Sequence, residues 1–265
     1  MIVRRQDAKA QTNRMPGLKI IFCALLAMLG LQSAEVAASD MLTVAVAANF
    51  YRPMQEIAAT YRKQTGTNVR LVSGSTGQLY AQIIQGAPYQ VFFAADARRP
   101  ELLESQGLTQ PGSRFTYATG SLVLWSMRED LGLKVRGMKS LLDMRVKRIA
   151  IANPNTAPYG RAAMQALKAA GMVRTMRTKL VFGENVGQAF LFVRSGNADA
   201  GLVAASSTYQ AGGKVAAVPP DSYDPIVQQA VALRHAPEAA QKFTAFLSSP
   251  AARKVLRKYG YGVPQ

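Results

Sequence analysis

Few side chains in this sequence could make or break a covalent bond. His235 is the only histidine and Cys23 the only cysteine, so zinc ligation and Cys–His catalysis have no residues to work with. A Ser–His–Asp triad would have to use His235, whose Arg-His-Ala-Pro setting reads as surface, and no Gly-x-Ser-x-Gly elbow occurs. Asp96, Glu184 and Asp199 are possible acids, but nothing in the spacing pairs any two of them. Each reads as a cap or an ion-pair partner. The Gly74-Ser75-Thr76-Gly77 loop lacks the Gly-Lys-Ser/Thr ending of a phosphate loop, and no G-x-G-x-x-G follows the first strand, which disfavours nucleotides. What remains is a set of neutral donors: Asn49, Ser75-Thr76, Asn155-Thr156 and Asn185. Any one of them is explained by helix capping alone, and Asn185 with Gln188 has the spacing of a capping box. Four such loops drawn from two separate parts of the chain are less easily explained that way. Where a helix begins, unpaired backbone N–H groups and a partial positive charge make a ready anion site.

The elements around these loops alternate between strand and helix. Residues 42–47 (LTVAVA), 69–72 and 91–95 (VFFAA) are predicted strands. Phe50, Met54, Ile57, Ala58 and Tyr61 recur at helical spacing, and a second helix is predicted over 77–85. A further set begins near Gly120, with strands at 122–125, 148–152, 180–182 and 200–204 and helices at 158–170 and 186–195. A strand at 226–233 and helices at 237–247 and 250–259 complete the chain. Alternation of this kind implies an α/β fold with parallel sheets covered on both faces. The polar loops then fall at the carboxyl edges of the strands, where open α/β sheets bind ligands.

The chain has 265 residues, 49% of them apolar, and a formal net charge of +17. It is long enough for one large domain or two small ones. Its basic residues are scattered, with no long like-charge run and no arginine–aromatic motif, so a basic soluble surface fits better than a nucleic-acid face. Residues 1–38 read as a secretory signal peptide: a basic start, an apolar stretch at 20–31 that is shorter than a membrane span, and Val36-Ala37-Ala38 as a cleavage site. Cleavage after Ala38 removes Cys23, and a periplasmic location follows.

The motifs Val44-Ala45-Val46-Ala47-Ala48-Asn49-Phe50, Gly74-Ser75-Thr76-Gly77-Gln78-Leu79, and Gly86-Ala87-Pro88 to Ala95-Asp96 closely resemble the molybdate-binding periplasmic proteins of ATP-driven uptake systems. So do Asn153-Pro154 to Gly160, Glu184-Asn185-Val186, and Gly196 to Gly201. The likeness covers essentially the whole chain after residue 38. It implies a two-lobed periplasmic solute-binding fold (Venus-flytrap, type II), each lobe a mixed, mostly parallel sheet flanked by helices. Lobe I would comprise residues 39–118 with 226–265, and lobe II residues 119–225. It implies closure on a tetrahedral oxyanion, molybdate and also tungstate, and no catalysis. Ala48 and Asn49 would contribute from the first loop, and Ser75 and Thr76 would give a hydroxyl and a backbone N–H from the second. Tyr159 and Val186 would each lend a backbone N–H. Molybdenum would be held as molybdate, with no direct protein–metal bond and no cofactor. The implied partners are an inner-membrane permease with a cytoplasmic ATPase, served by a monomer, with no nucleic acid. One departure is visible: Ala204 stands where some members place a ligand tyrosine. Glu184 is the acid nearest the expected site. The alternatives are the same fold holding sulfate or phosphate, or an exported hydrolase.

Overall fold

The computed structural model describes residues 41–264; the signal peptide expected over residues 1–38, with Cys23, lies outside them. Two five-stranded sheets organise the chain. The first has the order β2-β1-β3-β10-β4 and the second β7-β6-β8-β5-β9. The first is built from β1 (Met41–Ala47), β2 (Asn68–Gly74), β3 (Val91–Phe93), β4 (Phe115–Gly120) and β10 (Ile226–Ala232). The second is built from β5 (Leu122–Ser126), β6 (Ile149–Ala152), β7 (Leu180–Gly183), β8 (Ala200–Ala204) and β9 (Lys214–Ala217). The helices of eight or more residues are α1 (Tyr51–Thr65), α2 (Thr76–Ile84), α3 (Arg98–Ser105), α4 (Pro158–Ala169), α5 (Val186–Arg194), α6 (Glu238–Phe246) and α7 (Pro250–Lys258).

Strand alternation decides how each sheet is covered. Leu42, Val44 and Val46 of β1 join Phe50, Met54, Ile57 and Tyr61 of the α1 side, together with Phe243 and Leu256 of α6 and α7. Ala45 points the other way, to Leu79 and Ile83 of α2 and Leu103 of α3. With apolar side chains on both faces, β1 must lie inside the sheet, and it does. Phe50 anchors one side through Tyr117 at 4.6 Å and Tyr261 at 5.5 Å between ring centroids. In the second sheet the single tryptophan, Trp125, stacks on Phe190 of α5 at 4.6 Å.

Four of the five strands in each sheet run the same way. The exception is β10 in the first, antiparallel to β3 and β4, and β5 in the second, antiparallel to β8 and β9. Each reversed strand is the one the chain enters directly after crossing from the other sheet, at Ser121 before β5 and between β9 and β10. Strands β4 and β9 and helix α3 were not anticipated. The β4 segment FTYATG carries no apolar run, β9 is four residues long, and α3 (RRPELLES) is half charged, with only Pro100 and Leu103 buried.

Candidate functional site

The carboxyl ends of β1 and β2 face those of β6 and β7 across a small cavity of about 10 Å³. Pockets for larger organic ligands run to roughly 300–1,000 Å³, so this one suits a single small ion. Ala48, Asn49, Ser75, Thr76, Tyr159 and Val186 all line it, with Ala47, Gly74, Ala95, Ala157, Pro158 and Asn185. None of these residues carries a charge. Glu184 is exposed and outside the lining, Asp96 is ion-paired to Arg99 and Arg161, and Asp199 is held by Arg128 and the N–H groups of Lys147 and Arg148. Asn155 is exposed and also stands outside. Ala204 is fully buried at the end of β8 and does not reach the cavity.

Three helices begin at this cavity, and local capping decides which N–H groups are left over. In α2, Ser75 forms a complete capping box with Gln78: its Oγ accepts the Gln78 N–H at 3.3 Å, and Gln78 Oε1 accepts the Ser75 N–H at 3.2 Å. The Leu79 N–H returns to Ser75 O, and the Gly77 N–H crosses to Thr156 O at 2.8 Å. Among the described residues that leaves the Thr76 N–H without an acceptor. In α4, Pro158 has no N–H and those of Gly160 and Arg161 return to Ala157 O, leaving Tyr159. In α5, Asn185 takes the N–H groups of Gln188 and Ala189, leaving Val186 and Gly187. The capping box expected at Asn185 is half made. Gln188 Oε1 instead accepts the N–H one residue further back, that of Glu184, at 2.6 Å.

Side-chain donors are scarcer. Thr76 is buried, and its Oγ1 accepts the Ala95 N–H at 3.0 Å, which leaves the hydroxyl proton to be donated. The Ser75 hydroxyl is spent on Gln78. The Asn49 amide donates both protons to residues outside the lining, Gln228 Oε1 at 2.8 Å and Tyr261 OH at 2.9 Å. Asn49 Oδ1 is buried without a partner. Asn49 therefore joins the cavity to a buried network that the sequence did not disclose. Gln228 also takes the Tyr117 hydroxyl at 2.8 Å and donates to Tyr159 OH at 3.3 Å, while Ser206 Oγ donates to Asn49 O at 3.0 Å. Burial, reinforced by neighbouring tyrosines, pushes the Tyr117 and Tyr159 hydroxyls well above their ordinary range, and burial does the same to Tyr261. All three stay protonated. The available signal was a glutamine at a fully buried position of β10, but two consecutive glutamines in IVQQAVA hide which one faces inward.

An uncharged cage of helix-end donors, with no carboxylate to accept a proton, is suited to a small, fully deprotonated anion. The comparisons with known proteins bear on the same residues. Residues 42–262 match the family model described as bacterial extracellular solute-binding protein. The chain belongs to this family. The molybdate-binding protein ModA of Azotobacter vinelandii is 45% identical over 242 residues, covering 88% of this chain and 91% of that protein. Its namesake from Rhodobacter capsulatus is 43% identical, covering 90% and 94%. The solved structure of the Azotobacter vinelandii periplasmic molybdate-binding protein superposes with a TM-score of 0.81 at 41% identity, over 84% of this chain and all of that one. The two-lobed α/β architecture of this solute-binding protein is therefore as the sequence implied, and the cavity lies between its lobes.

Proposed function

We propose that this solute-binding protein captures molybdate, and tungstate with it, in the periplasm, and hands the anion to a membrane permease driven by a cytoplasmic ATPase. The observation that carries the reading is the composition of the cavity: neutral donors at three helix N-termini, one buried threonine hydroxyl, and neither a cation nor a carboxylate in the lining. A tetrahedral dianion is satisfied by such donors without a buried counter-ion. Protonated phosphate would find no carboxylate there to take its proton, only the neutral Asn49 Oδ1. Sulfate carries no proton, so size separates it from the larger metal oxyanions. The relatives named for molybdate, at more than 40% identity across nearly the whole chain, support that choice.

In this reading Thr76, Tyr159 and Val186 donate to the anion, Ala48 and Asn49 close the cavity from the first loop, and Ser75 caps the helix that aims Thr76. Lobe I spans 39–120 and 226–265 and lobe II 121–225, two residues later than the boundary expected at 118/119 because β4 stays in the first sheet as far as Gly120, and the lobes swing about the two crossings beside β4–β5 and β9–β10. Thermal denaturation tests the reading. Ligand at about 100 times Kd stabilises by roughly 2.7 kcal/mol, which raises Tm by roughly 5–10 °C for a chain of this size. Molybdate and tungstate are expected to give that rise, and sulfate and phosphate at the same concentration to give almost none. Equal rises from all four anions would remove the selectivity from the proposal.

A further inference from the structure

We propose that Asp96 and Arg161 form a latch between the lobes that sets how long the closed, anion-loaded state lasts. Arg161 Nη2 lies 2.9 Å from Asp96 Oδ2. Among the described residues this is the one ion pair that joins the two lobes; the others link residues within a lobe. The remaining cross-lobe ties at the cavity are neutral, such as the Gly77 N–H to Thr156 O and Ser206 Oγ to Asn49 O.

Its position suits the task. Asp96 follows Ala95, whose N–H fixes the Thr76 hydroxyl, and Arg161 lies two residues after Tyr159 on α4. Formation of the pair therefore seats an anion donor from each lobe. The Asp96 side chain is 13% exposed and that of Arg161 37%, so the pair is screened less than a surface bridge while Arg161 remains within reach of water. Asp96 also holds Arg99 of its own lobe and accepts the Arg99 N–H at 3.1 Å. Removing Arg161 leaves the carboxylate paired, so the substitution subtracts the cross-lobe tie and little else.

This inference rests on the reading that the cavity closes on an oxyanion. The test is a chase of radiolabelled molybdate from the purified protein, with capture measured separately by rapid mixing. Arg161→Gln is expected to speed release about fivefold, the order a partly buried pair supports, and to leave the capture rate unchanged. Arg161→Lys should recover part of the residence time. Asp96→Asn combined with Arg161→Gln should release no faster than Arg161→Gln alone, whereas independent roles would multiply. Lys254→Gln, which removes one exposed charge elsewhere, controls for net charge. Unchanged release in Arg161→Gln overturns the latch, as does slowed capture with unchanged release, which marks electrostatic steering. If the parent protein retains sulfate or phosphate and not molybdate, the proposed function fails, and the same chase with the retained anion decides the latch. If it retains none of these anions, both fail.

Discussion

The two lobes share one strand plan and supply the cavity in different ways. Each sheet places three parallel strands beside one reversed strand and an outer one. Lobe I lends a hydroxyl as well as backbone: Thr76 is braced by Ala95, and behind Asn49 lies a buried polar network of Gln228, Tyr117 and Tyr261. Lobe II lends backbone alone. Tyr159 and Val186 are buried core residues whose side chains pack away while their N–H groups stand at the starts of α4 and α5. A donor made of backbone is indifferent to the side chain that carries it. On the proposed function this is how a valine can serve an anion, and it states what kind of substitution each lobe should notice.

The sharpest way to break the contrast is Val186→Pro. Position 186 is the first residue of α5, and Asn185 before it is extended at φ −145° and ψ 173°, a conformation that proline accepts in its predecessor. The change deletes one N–H and keeps the helix. Loss of a charge-assisted bond of about 1.5–3 kcal/mol should weaken molybdate binding roughly 10- to 150-fold, whereas Val186→Ala should stay within a factor of about three. Equilibrium dialysis reads both. In lobe I the side chain itself is at stake: Thr76→Ala should cost one to two decades of affinity, about 1.5–3 kcal/mol, and Thr76→Ser should bind like the parent. Gly77→Ala probes the seam between the lobes. A Cβ there would lie 2.8 Å from Thr156 O and 3.1 Å from Thr156 Cα, so closure must yield. Overpacking of about 1–2 kcal/mol gives roughly a tenfold loss, while the Tm of the anion-free protein should be unmoved. The smallest effect is that of pH. No Asp, Glu, His, Lys or Arg lines the cavity, and Tyr159 is pushed well above its ordinary range by burial, so molybdate affinity should be flat from about pH 6 to pH 9 by titration calorimetry.

These outcomes also measure how far the chain could be read from its residues. The apolar strands of LTVAVA and VFFAA type, and the helices with Pro158 or Asn185 at their starts, announced themselves because periodicity and caps agree there. The loops between them were therefore placed at the right edge of each sheet. Strand β4 escaped because a strand alternating polar and apolar around Gly120 resembles a turn, and α3 because its buried face is only two residues wide. At the cavity, residue types disclosed which loops meet but not how each donor is spent. The Ser75 hydroxyl and the Asn49 amide look available in the sequence; the first is consumed by Gln78 within the same motif, the second by Gln228 and Tyr261, far along the chain from it. Long-range partners of that sort, 179 and 212 residues apart, leave no local signature.

The central claim is that a cage of neutral helix-end donors selects a fully deprotonated oxyanion of molybdate size. Calorimetric titration of the anion-free protein with molybdate, tungstate, sulfate and phosphate tests it most directly. The account requires tight one-to-one binding of the first two and no measurable heat of binding from the others. Silence from molybdate with binding of sulfate or phosphate would contradict it.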